Sequence, residues 1–195
     1  SEHELFAHDT SSEFSDRPDQ HDGVEFFTPP MVEVTEICGP IALTLYGSTT
    51  DEEILWFASL IHRNAQGQER LLTRGWLRGS QRALDEAGSK PYQPRHLHNR
   101  RDPLTPGEVY EFNIGIGPYA IELKPGEQLG LRIKCADDET PANLLEVINM
   151  GHLRRAREAA ITVHHSREYP SHLLLPITKG NVIGTYYSAG RLGKP

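Results

Sequence analysis

The run Ile54-Leu55-Trp56-Phe57-Ala58-Ser59-Leu60-Ile61 is almost unbroken in apolar side chains. It is short, and both of its alternating sets are apolar. That pattern suits a strand covered on both faces. Asn64-Ala65-Gln66-Gly67 follows as a turn signal, and Leu71 to Leu77 returns as a second apolar run. The pair predicts a β-hairpin. Upstream, Val32 and Val34 alternate with Glu33 and Thr35, a strand signature beginning at Met31. Gly39-Pro40 punctuates it, and Ile41, Leu43 and Leu45 then share a face.

Downstream, residues 79–107 carry prolines, charges and few β-branched residues, which predicts a long excursion with one helical turn near Arg82 to Leu84. Strands resume over 109–114 and 119–123. Lys124-Pro125-Gly126-Glu127 reads as a turn, with proline preset for its first corner. Leu129, Leu131 and Ile133 alternate with Gly130, Arg132 and Lys134. Residues 142–159 predict a helix, with Leu144, Leu145 and Ile148 on one face and Gly151 interrupting it. Ile161 to Val163, His172 to Pro176 and Tyr186-Tyr187 close the series as strands. Short, closely spaced strands, with 17 glycines and 14 prolines among 195 residues, predict an all-β sandwich or jelly roll.

Residues 1–30 are polar and acidic and read as a lead-in segment, loop or tail, before a domain spanning 31–195. Phe6, Phe14, Phe26 and Phe27 stand out there as aromatics able to pin the segment to a neighbouring surface.

The formal charge of -7 predicts no sequence-independent binding to nucleic acid or anionic membrane. No apolar run approaches the roughly 20 residues that span a bilayer. Nothing at the start reads as a leader peptide, and the expected compartment is the cytoplasm. Cys38 and Cys135 exclude a four-cysteine zinc site and read as buried or half-buried thiols; a single bridge between them stays open.

Motifs for catalysis are mostly missing. Gly184 to Gly190 carries Tyr186 where a nucleophile elbow needs its first glycine, so Ser188 is not expected to act as a nucleophile. No phosphate-binding glycine loop, dinucleotide fingerprint or His-Glu-x-x-His motif occurs. Among ten histidines, His96 and His98 fall on one face if extended and, with Asp102, give a poor cupin-like constellation. Arg95, Arg100 and Arg101 beside them disfavour a cation electrostatically, and a solvated loop is the better reading. His164 and His165 alternate in a strand, one expected inside and one exposed. Asp137-Asp138-Glu139 reads as a solvated turn rather than a calcium loop. Arg154, Arg155 and Arg157 read as an exposed helix face. Trp56 and Trp76 lie in the two hairpin strands as core, interface or sugar-stacking residues.

Four stretches carry a resemblance. They are Ile37-Cys38-Gly39-Pro40-Ile41-Ala42-Leu43, Pro103 to Tyr110, Lys124 to Ile133, and Thr162 to Pro176, which contains His164-His165-Ser166-Arg167-Glu168-Tyr169-Pro170-Ser171-His172. With Arg17-Pro18-Asp19-Gln20 as lead-in, the chain from Arg17 to Tyr187 resembles the C-terminal non-catalytic domain of the X-Pro dipeptidyl-peptidase, cocaine-esterase and α-amino-acid ester hydrolase group (CocE/NonD). The resemblance implies a galactose-binding-like jelly roll that packs on an α/β-hydrolase domain, shapes its substrate pocket and can join homo-oligomer contacts. It implies no catalytic residue and no cofactor in this chain. Leu5, Phe6 and Trp56 are the candidate pocket or interface residues it suggests. Residues 139–158 depart from the usual Asn/Ser/Pro-rich stretch. A free-standing carbohydrate-binding module is the alternative, and a cupin-like metal protein through His96 and His98 the third.

Overall fold

The computed structural model describes residues 10–17, 22–136 and 158–180. Leu5, Phe6, Asp137-Asp138-Glu139, Arg154, Arg155, Arg157, Tyr186-Tyr187 and Ser188 lie outside the described residues. So does the expected helix over 142–159, apart from its end, where Ala159 opens a strand.

Among the described residues, ten strands form two antiparallel sheets: β1 (Ser11–Asp16), β2 (Gly23–Phe27), β3 (Thr35–Thr49), β4 (Leu55–Arg63), β5 (Glu69–Arg78), β6 (Tyr110–Leu123), β7 (Gln128–Lys134), β8 (Ala159–His164), β9 (His172–Leu174) and β10 (Ile177–Lys179). One sheet has the order β2-β7-β4-β5. The other is organised on β3. One edge of β3 pairs with β6, and its opposite edge is shared by β10, β9 and β8 in turn. β1 adds beyond β8. Inward-facing residues of both sheets make one core, with Trp56 of β4 edge-on to Phe112 of β6 at 5.5 Å between ring centroids. The chain is a β-sandwich.

The hairpin forms as expected. β4 and β5 pair from Leu55↔Arg78 to Arg63↔Glu69. The Asn64 side chain organises the turn by accepting from the Gln66 and Gln68 backbone N–H groups. Every residue from Leu55 to Ile61 is buried, because β4 lies between β7 and β5 with both faces covered.

Elsewhere the segmentation differs from the expectation. The Met31–Val34 alternation precedes β3, which starts at Thr35. Gly39-Pro40 does not end a strand, and residues 109–114 and 119–123 are not two strands. β3 and β6 each run through. The register shifts between Gly39↔Tyr119 and Ile41↔Ile116, a bulge flanked by Pro40 and Pro118. Neither proline has an N–H to give the ladder, and Gly39 takes a φ of 138°. Pairing resumes on the far side, so proline here marks a bulge.

The lead-in is not loop or tail throughout. β1 and β2 each form an edge of a sheet, and Phe14 and Phe27 are buried as the aromatic-pinning reading anticipates. The 79–107 excursion is borne out: it holds only a 3₁₀ turn at Gly79–Gln81, slightly before the expected helical turn, and two isolated bridges.

Ser171 joins β8, β9 and β3. Its Oγ–H donates to the His164 carbonyl at 2.6 Å and its oxygen accepts from Tyr46 N–H at 2.8 Å. Ser171→Ala strands both backbone groups and is expected to cost about 1–3 kcal/mol. Urea unfolding reads this, and an unchanged midpoint would refute the bridging role.

Candidate interface surface

The outer face of the four-stranded sheet is buried over β4, and β5 sets what stands exposed on it. Gly75 and Leu77 are buried toward the core, so the intervening Trp76 points outward. Trp76 is 53% exposed, whereas Trp56 is 0% exposed. The expectation that Trp56 contacts a pocket or partner is corrected: its indole fills the core against Phe112 and has no surface left to offer. The tryptophan available to a partner is Trp76. Across the sheet it shares a row with Phe57 and Lys134, and the next row carries Arg74, Ser59 and Arg132.

Glu53, just before β4, anchors the start of the excursion. Its carboxylate accepts from the Ser80 backbone N–H and the Ser80 hydroxyl, at 2.9 and 2.6 Å. Arg78 and Arg101 approach the same carboxylate at 3.7 and 3.1 Å. Nothing in its sequence context marked Glu53 as a hub, because its partners lie 27 and 48 residues away.

The excursion then projects as a small arm. Lys90 and Gln93 close a tight turn by exchanging backbone hydrogen bonds, which leaves Tyr92 exposed at its tip. Leu97 is exposed further along. A shallow open groove of about 220 Å³ lies along the arm, lined by Leu84, Ser89, Lys90, Pro94 and Asn113 among others.

His96 and His98 do come together, with ring centroids 5.8 Å apart. His98 is the one residue other than glycine with positive φ among the described residues. Asp102, the expected third member of the set, is instead held by Arg82 at 2.9 Å. Among the described residues no group of three His, Cys, Asp or Glu side chains is placed to hold a metal ion. His164 and His165 are both half-buried rather than split between core and solvent. Each ring nitrogen finds a serine on a neighbouring strand, His164 with Ser48 of β3 at 3.0 Å and His165 with Ser12 of β1 at 3.1 Å. Cys135 is buried as expected, but Cys38 is exposed, and no disulfide joins them.

Burial holds His96 below its ordinary pKa, and the nearby His98 adds to this against a hydrogen bond to the Asn113 backbone. Burial likewise lowers His164, against the charge of Glu13. Burial pushes Glu127 up, but the Lys124 backbone N–H and the His62 side chain, 3.1 Å away, more than offset this and leave its pKa lowered. For the two histidines the unfolded chain takes up protons first as pH falls through about 6.5. Their contribution is complete above that value and is lost on acidification. The Glu127 contribution is present above the ordinary carboxylate range and lost below it. The melting temperature is therefore expected to fall in two steps between pH 7 and pH 3, and His164→Gln to flatten the upper step. A profile that rises on acidification would contradict this assignment.

The model of the X-Pro dipeptidyl-peptidase C-terminal non-catalytic domain matches residues 1–174. The chain belongs to this family. A CocE/NonD family hydrolase from Staphylococcus aureus superposes with a TM-score of 0.73 at 23% identity, over 86% of this chain and 33% of that one. An α-amino acid ester hydrolase gives 0.65 at 17% identity, over 88% and 33%. At these identities the likeness is one of fold. The Mycobacterium bovis protein named "Putative serine esterase" is 26% identical over 117 residues, 57% of this chain and 18% of its own length. The chain thus spans about a third or less of these relatives. It is an X-Pro dipeptidyl-peptidase C-terminal non-catalytic domain.

Proposed function

We propose that this domain packs on the α/β-hydrolase catalytic domain of a longer chain, walls its substrate pocket, and leaves the hydrolysis of peptide, ester or amide bonds to that domain. The observation that carries this reading is the match of residues 1–174 to a C-terminal non-catalytic domain, together with relatives in which the matched region is about a third of the chain. Acyl transfer needs a nucleophile, a base and an oxyanion hole in one geometry, and the sequence offers no matching set. Cys38 and Cys135, not joined by a disulfide, suit a reducing, cytoplasmic setting. Homo-oligomer contacts through the same domain fit this reading.

The test is hydrolysis of an aminoacyl-proline anilide and an aryl ester by this chain alone and by the hydrolase that carries it. Turnover is expected only from the longer chain. Turnover by this chain alone, abolished by a serine-directed inhibitor, overturns the proposal. Heat on titration with a glycan, lost in Trp76→Ala, would favour a carbohydrate-binding module instead.

A further inference from the structure

We propose that the outer face of the β3-centred sheet, from the cluster of Tyr46, His164 and Tyr169 down to Leu174, is the surface through which this domain docks on the catalytic domain of its hydrolase. This inference rests on the reading above and names the contact. Three observations carry it. The first is where the chain enters the sandwich. Under that reading the catalytic domain precedes β1. Ser11, the first residue of β1, pairs with His164, His164 with Tyr46, and Tyr46 with Glu111. These four form one row across the sheet on its outer face. At about 4.8 Å between strands the row is about 14 Å wide. The His165 N–H donates to the Thr10 carbonyl at 2.9 Å and fixes the entry point beside it. A domain tethered there meets this end of the sheet at high effective concentration.

The second is what stands in that row. The Tyr169 ring packs on both neighbours, 5.8 Å from the Tyr46 ring and 5.3 Å from that of His164. Ser48 holds His164 at 3.0 Å. The Tyr46 hydroxyl donates to the Glu111 carboxylate at 2.7 Å, and the Asn113 side-chain amide donates to the same group at 2.8 Å. The Thr44 hydroxyl in turn donates to the Asn113 side-chain oxygen at 3.1 Å. Side chains held in this way lose little freedom on binding. Tyrosine is among the residue types enriched where interfaces take most of their energy.

The third is the open apolar ground below the cluster. The next rows are Asn113, Thr44 and His172, then Gly115, Ala42 and Leu174. Cys38 pairs with Ala120 beyond the bulge, and both are exposed. Leu174 is 39% exposed. Small side chains let a partner approach a sheet closely, and exposed apolar ground of this kind marks interaction sites. Apart from Glu111, charge stands at the edges of the face. Glu13 lies on β1, Arg167 and Glu168 lie in the loop before β9, and Glu36 and Glu122 pair at the far end, where Lys179 meets Glu36 at 3.3 Å. The relatives keep roughly two thirds of their length outside the match, which supplies a domain of suitable size. Trp76 and the arm are the competing surfaces. Beside Trp76 the sheet is buried over β4, and Tyr92 and Leu97 stand apart on the arm, so neither continues a row from the entry point.

Hydroxyl-radical footprinting of the carrying hydrolase, compared with this chain alone, tests the assignment. Oxidation of Tyr169, His172 and Leu174 is expected to slow severalfold in the longer chain. If these residues react alike in both, the inference fails. Protection of Trp76, or of Tyr92 and Leu97, in that case leaves the docking reading standing; protection at none of them removes it too. Protection that deepens with protein concentration would mark a second copy as the occupant and also overturns the assignment. Leu174→Lys supplies the second readout, since the lysine stem can lie along the sheet with its ammonium in water. It is expected to lower the melting temperature of the longer chain and leave that of this chain unchanged. An equal loss in both would make Leu174 a stabiliser of the sandwich itself and would count against the inference.

Discussion

Replacing Trp56 with alanine is expected to destabilise the fold by about 3–5 kcal/mol, the range for truncating a fully buried large aromatic. Folded domains hold only about 5–15 kcal/mol in total, so this is a large share. The indole bridges the two sheets. It meets Phe112 at 5.5 Å, and it lies so close to the Gly47 backbone that a β-carbon there would sit 2.5 Å from Cζ2. With strands on both sides of β4, the cavity left by truncation has little freedom to collapse. The midpoint of thermal unfolding should fall by about 10 °C or more. Trp56→Phe separates the causes. The indole Nε1 is buried without a hydrogen-bond partner among the described residues, so a phenyl ring removes an unpaired donor while keeping most of the packing. Its expected cost is well under half that of alanine. Equal losses in the two variants would mean that ring packing is not what Trp56 contributes.

The second large effect comes from the smallest side chain. At Gly75 an added β-carbon would lie 2.1 Å from the Gly115 carbonyl oxygen and 3.0 Å from the Ile116 Cα. Both neighbours are backbone, so no rotamer change relieves the clash. β5 of one sheet approaches β6 of the other at this point, and the hydroxyl of Thr73 donates to the Gly117 carbonyl close by. Gly75→Ala must force these strands apart or break their pairing, and is expected to cost about 3 kcal/mol or more, at the upper end for overpacking. Gly115→Ala is the control. Its β-carbon would find only Pro94, at 3.7 Å, an ordinary contact. That variant is expected to unfold at or slightly above the original midpoint, since alanine costs less conformational freedom than glycine. If both variants behave alike in chemical denaturation, the close approach is not a steric constraint.

How far the sequence could be read depended on which physical signal each element carries. The β4–β5 hairpin was legible because its apolar runs and its asparagine-glycine turn agree. β1 and β2 were not, since Ser11-Ser12-Glu13-Phe14-Ser15-Asp16 has few apolar residues and takes its place through backbone pairing with β8. Proline concealed the continuity of β3 and β6: a missing N–H looks alike in sequence whether it ends a strand or marks a bulge. The candidate surface was hidden for a related reason. The β4–β5 register slips between Leu60↔Thr73 and Ile61↔Leu71, leaving Leu72 as an extra residue. Alternation counted from Leu71 therefore loses phase before Trp76, and the outward-facing tryptophan cannot be told from the inward one. Trp56 gave no orientation either, because β4 is apolar on both faces.

The pairing of β1 with β8 sets a timetable. Ser12 and His165 meet although they stand 153 positions apart along the chain. On a ribosome adding about 5–20 residues per second, β1 waits roughly ten to thirty seconds for its partner. Throughout that interval its backbone donors and acceptors remain unmatched, and Phe14 has no core to enter. A strand nearly devoid of other large apolar residues is a poor template for aggregation. The polarity that made β1 hard to recognise is thus what lets a nascent chain carry it safely until the sandwich closes.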